Sequence, residues 1–292
     1  MMVHEYDDTA LLLVLQIDHS RVAGLLAAHW GNSEFAEPAP YASAVLAAQE
    51  HDSGWWNWEI KPTLNADGFP PDYHGFWMHP GGAIPAGVVE GSDERARAWI
   101  SFYRDGIDRV REQDPYAGLL VLMHGTGLLS QGHGVRPNLP DMRNDPIARK
   151  FLDNREALRR DLLEELRRSP EYREYATDER IWVNFKLMEV WDQLGQFVCN
   201  RYPFNKTSRK TGPRDQIGSV PVAPGKPDTA IHMDVLDEKR AIFRPYPFDV
   251  DPLEVSYQGR VLPKRPYSDQ GDFIRDFYRA PRVTVTYTVH AP

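Results

Sequence analysis

The sequence predicts a mainly α-helical bundle over about residues 1–204, a connecting loop over 205–230, and a small β-containing C-terminal region over 231–292 packed on it, hence α+β overall. Three observations carry that expectation. Apolar residues recur at helical period in several segments before residue 200. Lys, Pro, Gly and Thr then crowd residues 205–230, which is a loop composition. After residue 231 short β-type runs appear, ending in the alternating Val283-Thr284-Val285-Thr286-Tyr287-Thr288-Val289.

In chain order, residues 10–17 (ALLLVLQI) read as a short buried strand or a helix lead-in, and their length favours the strand. Asp18 suits the N-cap of a helix from His19 to about Trp30, closed by Gly31-Asn32. A second helix follows from about Tyr41 to Asp52 and stops at Ser53-Gly54. Residues 55–92 mix Trp, Pro and Gly and read as a long ordered loop, a kind of segment that tends to carry function. A third helix, from about Ser92 or Asp93 to Gln113, has its apolar stripe at Ala96, Ile100, Tyr103, Ile107 and Val110. Tyr116 to Leu129 is an apolar segment interrupted by Gly125 and Gly127, and residues 130–144 are loop. Asp145-Pro146 is a strong helix start, and the charged helix behind it runs to Arg168. Another helix covers about Asp178 to Asn200. Beyond residue 231 a strand at Leu253–Tyr257, a turn at Gln258-Gly259, Val261-Leu262 and a short helix from about Asp269 to Arg279 precede the last strand.

Composition narrows the classes. The 292 residues carry 34 Lys+Arg against 42 Asp+Glu, a formal charge of −8, so a general nucleic-acid binder, which wants a basic face, is not expected. The apolar share of 41% fits a globular chain, and the eight Trp supply material for core and pocket walls. The single cysteine, Cys199, excludes an intramolecular disulfide and a cysteine zinc site. The acidic start MMVHEYDD is not a signal peptide, and no apolar run approaches the ~20 residues of a membrane span. A cytoplasmic protein with a small-molecule substrate, no nucleic-acid or membrane partner, and room for a homo-oligomer is the resulting expectation.

The chemistry concentrates in ionisable residues set on apolar stripes. Ala44, Ala48, His51, Asp52 and Trp55 trace one helical face, so His51 and Asp52 point at the core. His19 is in line with Val22 and Leu26, whereas His29 lies about 80° round the same helix. Asp192 falls in the stripe Ile181, Phe185, Met188, Asp192, Cys199. His124 sits midway between Leu120 and Leu128. A buried carboxylate costs several kcal/mol unless it is paired or holds a metal. Imidazole and carboxylate together suit a divalent transition metal, Mn, Fe, Co, Ni or Zn.

The stretches QIDHSRVAGLLAAHWG, EHDSGWWNWEIKPTLNADGFP, GLLVLMHGTGL and WDQLGQFVCNRYPF, with PFDVDPLEVSYQGR near the end, resemble an uncharacterised bacterial domain-of-unknown-function family related to HD-domain metal-dependent hydrolases, over essentially the whole chain. The resemblance implies an HD-domain-like helical bundle with His19, His51, Asp52 and Asp192 as metal ligands. His124 would be a second-site ligand or proton donor, with His79 a lesser candidate. The spacing from His19 to the doublet is long for that pattern; if His29 is the first ligand, His19 becomes a neighbouring or substrate-binding group. One or two ions would activate water for hydrolysis of a phosphorylated or otherwise anionic molecule, with Asp52 and His124 as catalytic groups. Two irons on the same set would instead support oxygen chemistry, and a degenerate HD-like fold would serve as a binding module.

Plainer roles stand beside these. His51 near a helix end interacts well with the helix dipole. Asp192 has Arg201, Lys186 or an indole as other partners, and His124 a carbonyl in a tight turn. Trp55 is a candidate substrate wall or core filler, and Trp56 and Trp58 likewise. His133, among glycines, reads as a loop residue. His74 and His79 sit in the Pro/Gly-rich loop and read as exposed. Lys206, Arg209, Lys210 and Arg214 read as solvated surface. No phosphate loop, dinucleotide fingerprint or serine-nucleophile elbow is present.

Overall fold

The computed structural model describes residues 1–73, 93–136, 141–200 and 215–292. Its strands are β1 (Met2–Glu5), β2 (Ala10–Val14), β3 (Gln216–Val220), β4 (Thr229–Val235), β5 (Arg240–Arg244), β6 (Leu253–Pro263) and β7 (Arg282–His290). Its helices are α1 (Gln16–Ala28), α2 (Tyr41–Glu50), the short α3 (Trp56–Glu59), α4 (Asp93–Gln113), α5 (Pro115–Ser130), α6 (Pro146–Arg168), α7 (Asp178–Cys199) and α8 (Gln270–Arg279).

The strands form one seven-stranded sheet in the order β1-β2-β6-β7-β5-β4-β3. The β5–β7 pair is parallel and the other neighbours are antiparallel. This corrects the expected mainly helical bundle: the sheet takes strands from both ends of the chain, and β2 pairs with β6, Leu12 opposite Val261. Such pairing leaves no local trace. β1 is four residues long, and β3 lies inside the stretch whose composition reads as a loop. The turn expected at Gln258-Gly259 is also absent. β6 runs straight through it, and Gly259 is there because a Cβ would stand 2.4 Å from Leu12 Cδ1 on the neighbouring strand.

Period-two alternation sorts the sheet's faces. Leu12 and Val14 of β2 join Val22 and Leu26 of α1 in the main core, with Val285, Tyr287 and Val289 of β7. Leu11 and Leu13 point the other way, onto Phe273 and Phe277 of α8. On the main-core side α1 packs on β6, α7 packs on β3, and α1, α2 and α7 pack on one another. α5 touches α2, α4, α6 and α7.

Two helix starts differ in instructive ways. Asp145 caps α6 as its sequence suggests, accepting from the Ile147 and Ala148 amides at 2.9 and 2.8 Å. α1 starts earlier than Asp18 indicates, so Asp18 lies in its first turn and pairs with Arg21. The free amides of Gln16 and Ile17 go instead to the Glu59 carboxylate, at 2.7 and 3.5 Å. A residue 43 positions away in the chain thus supplies the cap that local sequence does not.

Candidate metal centre

Four helical elements bring the ionisable residues together. α1 carries His19, and the end of α2 carries His51, with Asp52 just beyond it. α5 carries His124, and α7 carries Glu189 and Asp192. All are buried, His19 and Glu189 completely. The geometry around α7 depends on Gly195, where a Cβ would stand 3.0 Å from His19 Cε1 and 3.1 Å from Nδ1. Only the missing side chain lets the imidazole lie against the helix.

Asp192 Oδ1 is the hub. It lies 2.9 Å from His19 Nε2 and 3.3 Å from His51 Nε2, and accepts from Gln196 Nε2 at 2.9 Å. Asp52 Oδ2 lies 3.5 Å from the same His51 Nε2. His51 Nδ1 donates to the Ala48 carbonyl at 2.7 Å, which fixes the neutral tautomer. The Nε2 lone pair then faces two carboxylate oxygens inside the protein and finds no hydrogen-bond donor. Like electron pairs at that range repel, and a cation relieves them. In the metal-free protein that cation is a proton: burial opposes it, but Asp52 and Asp192 outweigh burial and lift His51 to about 10. Asp192, which burial alone pushes up, is held well below the usual carboxylate range by His19 and His51.

A second group adjoins the first. His124 Nδ1 meets Glu189 Oε1 at 2.8 Å, and His133 Nε2 is in contact with Glu189 Oε2. His133 Nδ1 accepts from the Val135 and Arg136 amides at 3.2 and 3.0 Å, so the neutral ring keeps its proton on Nε2 and donates it to Glu189. With its own Nδ1 proton on Glu189, His124 presents the Nε2 lone pair. A carboxylate behind a histidine in this way orients metal-ligating imidazoles. Burial pushes Glu189 up, yet the two histidines bring it down to about 2. His124 is raised by Glu189 against burial.

The three rings of His19, His51 and His124 are set nearly at right angles in sequence, with centroids 5.3 and 5.2 Å apart. Two imidazoles on one tetrahedral ion, with metal–nitrogen bonds of ~2.0–2.1 Å, stand with centroids ~5 Å apart. Ligand atoms of His19, His51 and Asp52 lie within 4.8 Å of one another, as do those of His124, His133 and Glu189. The donor set fits one or two borderline divalent ions.

Polar groups complete one wall. Gln196 Oε1 accepts from Arg136 Nη2 at 2.6 Å and from the Tyr73 hydroxyl at 3.5 Å. The Tyr103 ring is 6.0 Å from His124. Burial and the nearby carboxylates keep the Tyr73 and Tyr103 phenols protonated, well above the ordinary range.

Of the residues singled out from sequence, His19, His51, Asp52, Asp192 and His124 share this interior. His29 does not: it caps α1 at the surface, 2.9 Å from Asp249. Trp55 packs on Phe102 and Trp58 in a small cluster of its own. Lys186, considered as an Asp192 partner, pairs with Asp228 instead. His74, His79 and the basic residues Lys206, Arg209, Lys210 and Arg214 lie outside the described residues. Sequence reasoning missed Glu189, His133, Gln196 and Arg136. Glu189 had a readable signal, a second carboxylate one turn before Asp192 in an apolar helix.

A family model described as a protein of unknown function (DUF3891) matches residues 1–264. No curated protein and no solved structure matches the chain.

Proposed function

The chain belongs to the DUF3891 family, and we propose that it is a metal-dependent hydrolase of a small phosphorylated or otherwise anionic molecule. The observation that carries the reading is the buried His51 Nε2, whose lone pair faces Asp52 and Asp192 with no donor between them. A divalent ion bound there would lower the pKa of its water from 15.7 toward ~7 and polarise an oxygen of the substrate.

The chain's own groups divide the remaining work. His19, His51 and His124 offer neutral nitrogen, and Asp52 and Asp192 offer oxygen. Glu189, gripped by His133, holds the His124 ring in the ligating tautomer. Asp192 Oδ1 is already occupied by three neighbours, whereas Asp52 meets only His51 among the described residues. Asp52 is therefore the carboxylate free to take a proton from attacking water. Arg136, half-buried and bonded through its guanidinium to Gln196, has no carboxylate partner among the described residues. Its remaining donors suit a phosphate or carboxylate of the substrate.

The second group, His124, His133 and Glu189, would hold an ion of its own if the proton between His133 and Glu189 were displaced, and that adjacency favours one further reading, a dinuclear iron oxygenase. Elemental analysis of protein purified without chelator, beside His51→Ala, separates the possibilities. One or two ions per chain, lost in His51→Ala, with release of phosphate from a chromogenic aryl phosphate, is the expected result. Two irons with oxygen consumption supports the second reading. A metal-free wild type, or full metal in His51→Ala, overturns both and leaves a non-catalytic binding module.

A further inference from the structure

A second pocket, of about 210 Å³, lies on the far side of β6 from the main core, where α1, α3, β6 and α8 meet. One wall is aromatic and open to solvent: Trp56 is 44% and Tyr278 53% exposed, and Phe277 lies behind them. The Tyr278 hydroxyl donates to the Ile60 carbonyl and ties α8 to the end of α3. A cationic pair adjoins it, with the Arg260 guanidinium 5.8 Å from the Tyr278 ring centre. Arg260 and Arg282 stand directly across from each other on β6 and β7, where like charges are unfavourable.

Of the pocket's two carboxylates, Asp18 also feels the charges of Arg282 and Arg260, but neither carboxylate forms an ion pair with those arginines. Asp18 pairs with Arg21 at 3.1 Å, and Glu59 caps α1. Arg260 is 8% exposed, stacks over the Phe277 ring at 4.6 Å and donates one hydrogen bond, to the Phe277 carbonyl at 3.0 Å. Among the described residues neither Arg260 nor Arg282 has a carboxylate within ion-pair distance. Two arginines at directly paired positions of neighbouring strands, one of them nearly buried, beside an open aromatic wall form a site for an anion that brings its own flat apolar body.

We propose that this pocket binds a small planar molecule bearing one anionic group, with the anion between Arg260 and Arg282 and the ring against Trp56 and Tyr278. The site is independent of the metal centre, since it shares no residue with it.

Benzoate is a suitable probe, and the part of the intrinsic tryptophan fluorescence that Trp56→Phe removes, out of eight Trp, is a suitable signal. Wild-type protein is expected to show saturable quenching by benzoate that benzyl alcohol, its neutral counterpart, does not reproduce. Arg282 is exposed, so Arg282→Gln should fold normally; it is expected to weaken binding about tenfold, the loss of one charge-assisted contact. Tyr278→Ala should weaken it too, and EDTA should leave it unchanged. Absence of saturable quenching up to the solubility of benzoate, or equal affinity in Arg282→Gln, overturns the proposal. Loss of binding on addition of EDTA also overturns it, because the probe would then be sitting in the metal centre.

Discussion

Gly195→Ala is the most informative single change at the candidate metal centre, because it adds one methyl group without replacing any proposed ligand. That methyl would lie 3.0 and 3.1 Å from two atoms of the His19 ring. Comfortable carbon contacts begin at ~3.5 Å, so the ring must yield by about half an ångström. It has little room to do so, being fully buried with Nε2 held 2.9 Å from Asp192. Two effects on stability oppose each other. Alanine gains ~1 kcal/mol over glycine inside a helix, and overpacking costs ~1–3 kcal/mol. The metal-free protein should therefore lose at most ~2 kcal/mol, which is a few degrees in Tm at this size. Metal binding has no compensating gain. A histidine pushed off its ligating position should lose ~10–100-fold in affinity, the range seen when the support of a metal-bound histidine is removed. Melting with and without chelator measures the first effect, and competition with a chromophoric chelator measures the second. If the variant binds metal as tightly as wild type, His19 is not a ligand and the assignment of the centre fails.

The remaining predictions concern protons, anions and a cap. Because His51 is raised from 6.5 to about 10, its pairing stabilises the metal-free protein fully below pH ~6.5 and is lost as pH climbs toward about 10; chelated protein should melt progressively lower across that interval. Metal affinity should move the opposite way, rising with pH and releasing protons on binding, since the ion displaces that proton; pH-stat or buffer-dependent calorimetry checks it. Glu189, lowered to about 2 from 4.5, contributes stability present above pH ~4.5 that is lost as pH falls toward 2, so Glu189→Gln should flatten the acid limb of a melting series. Arg136→Met should keep its metal while an anionic substrate or inorganic phosphate binds at least tenfold more weakly; equal phosphate affinity would show that Arg136 does not face the ligand. Glu59→Ala strands two amides at the start of α1 and should cost ~1–3 kcal/mol in chemical denaturation.

How much of this was legible depended on whether the signal is local. A carboxylate amid apolar residues needs no knowledge of the fold to demand a partner, which is why Asp192 and the His51-Asp52 doublet stood out. Glu189 was harder because α7 is buried on nearly every side, so helical phase alone does not single out one face. His133 was hidden by glycine neighbours that suggest a solvated loop, although its ring is buried against Glu189. The start of α7 at Asp178 was placed correctly, and the start of α6 could be read from the Asp145-Pro146 cap. The sheet could not. Its defining contacts join β2 to β6 and β5 to β7, and pairing between distant segments is set by tertiary packing rather than by any window of sequence.

The β2–β6 ladder also imposes an order on biosynthesis. One residue separates β2 from α1, so the histidine that α1 bears is anchored through a strand whose inner neighbour, β6, is synthesised long after it. A nascent polypeptide stalled before Leu253 would present β2 as a bare edge and leave His19 loosely held. Loading of an ion should therefore be a late event of maturation, and truncation before that point should abolish it even though every ligand is already in place.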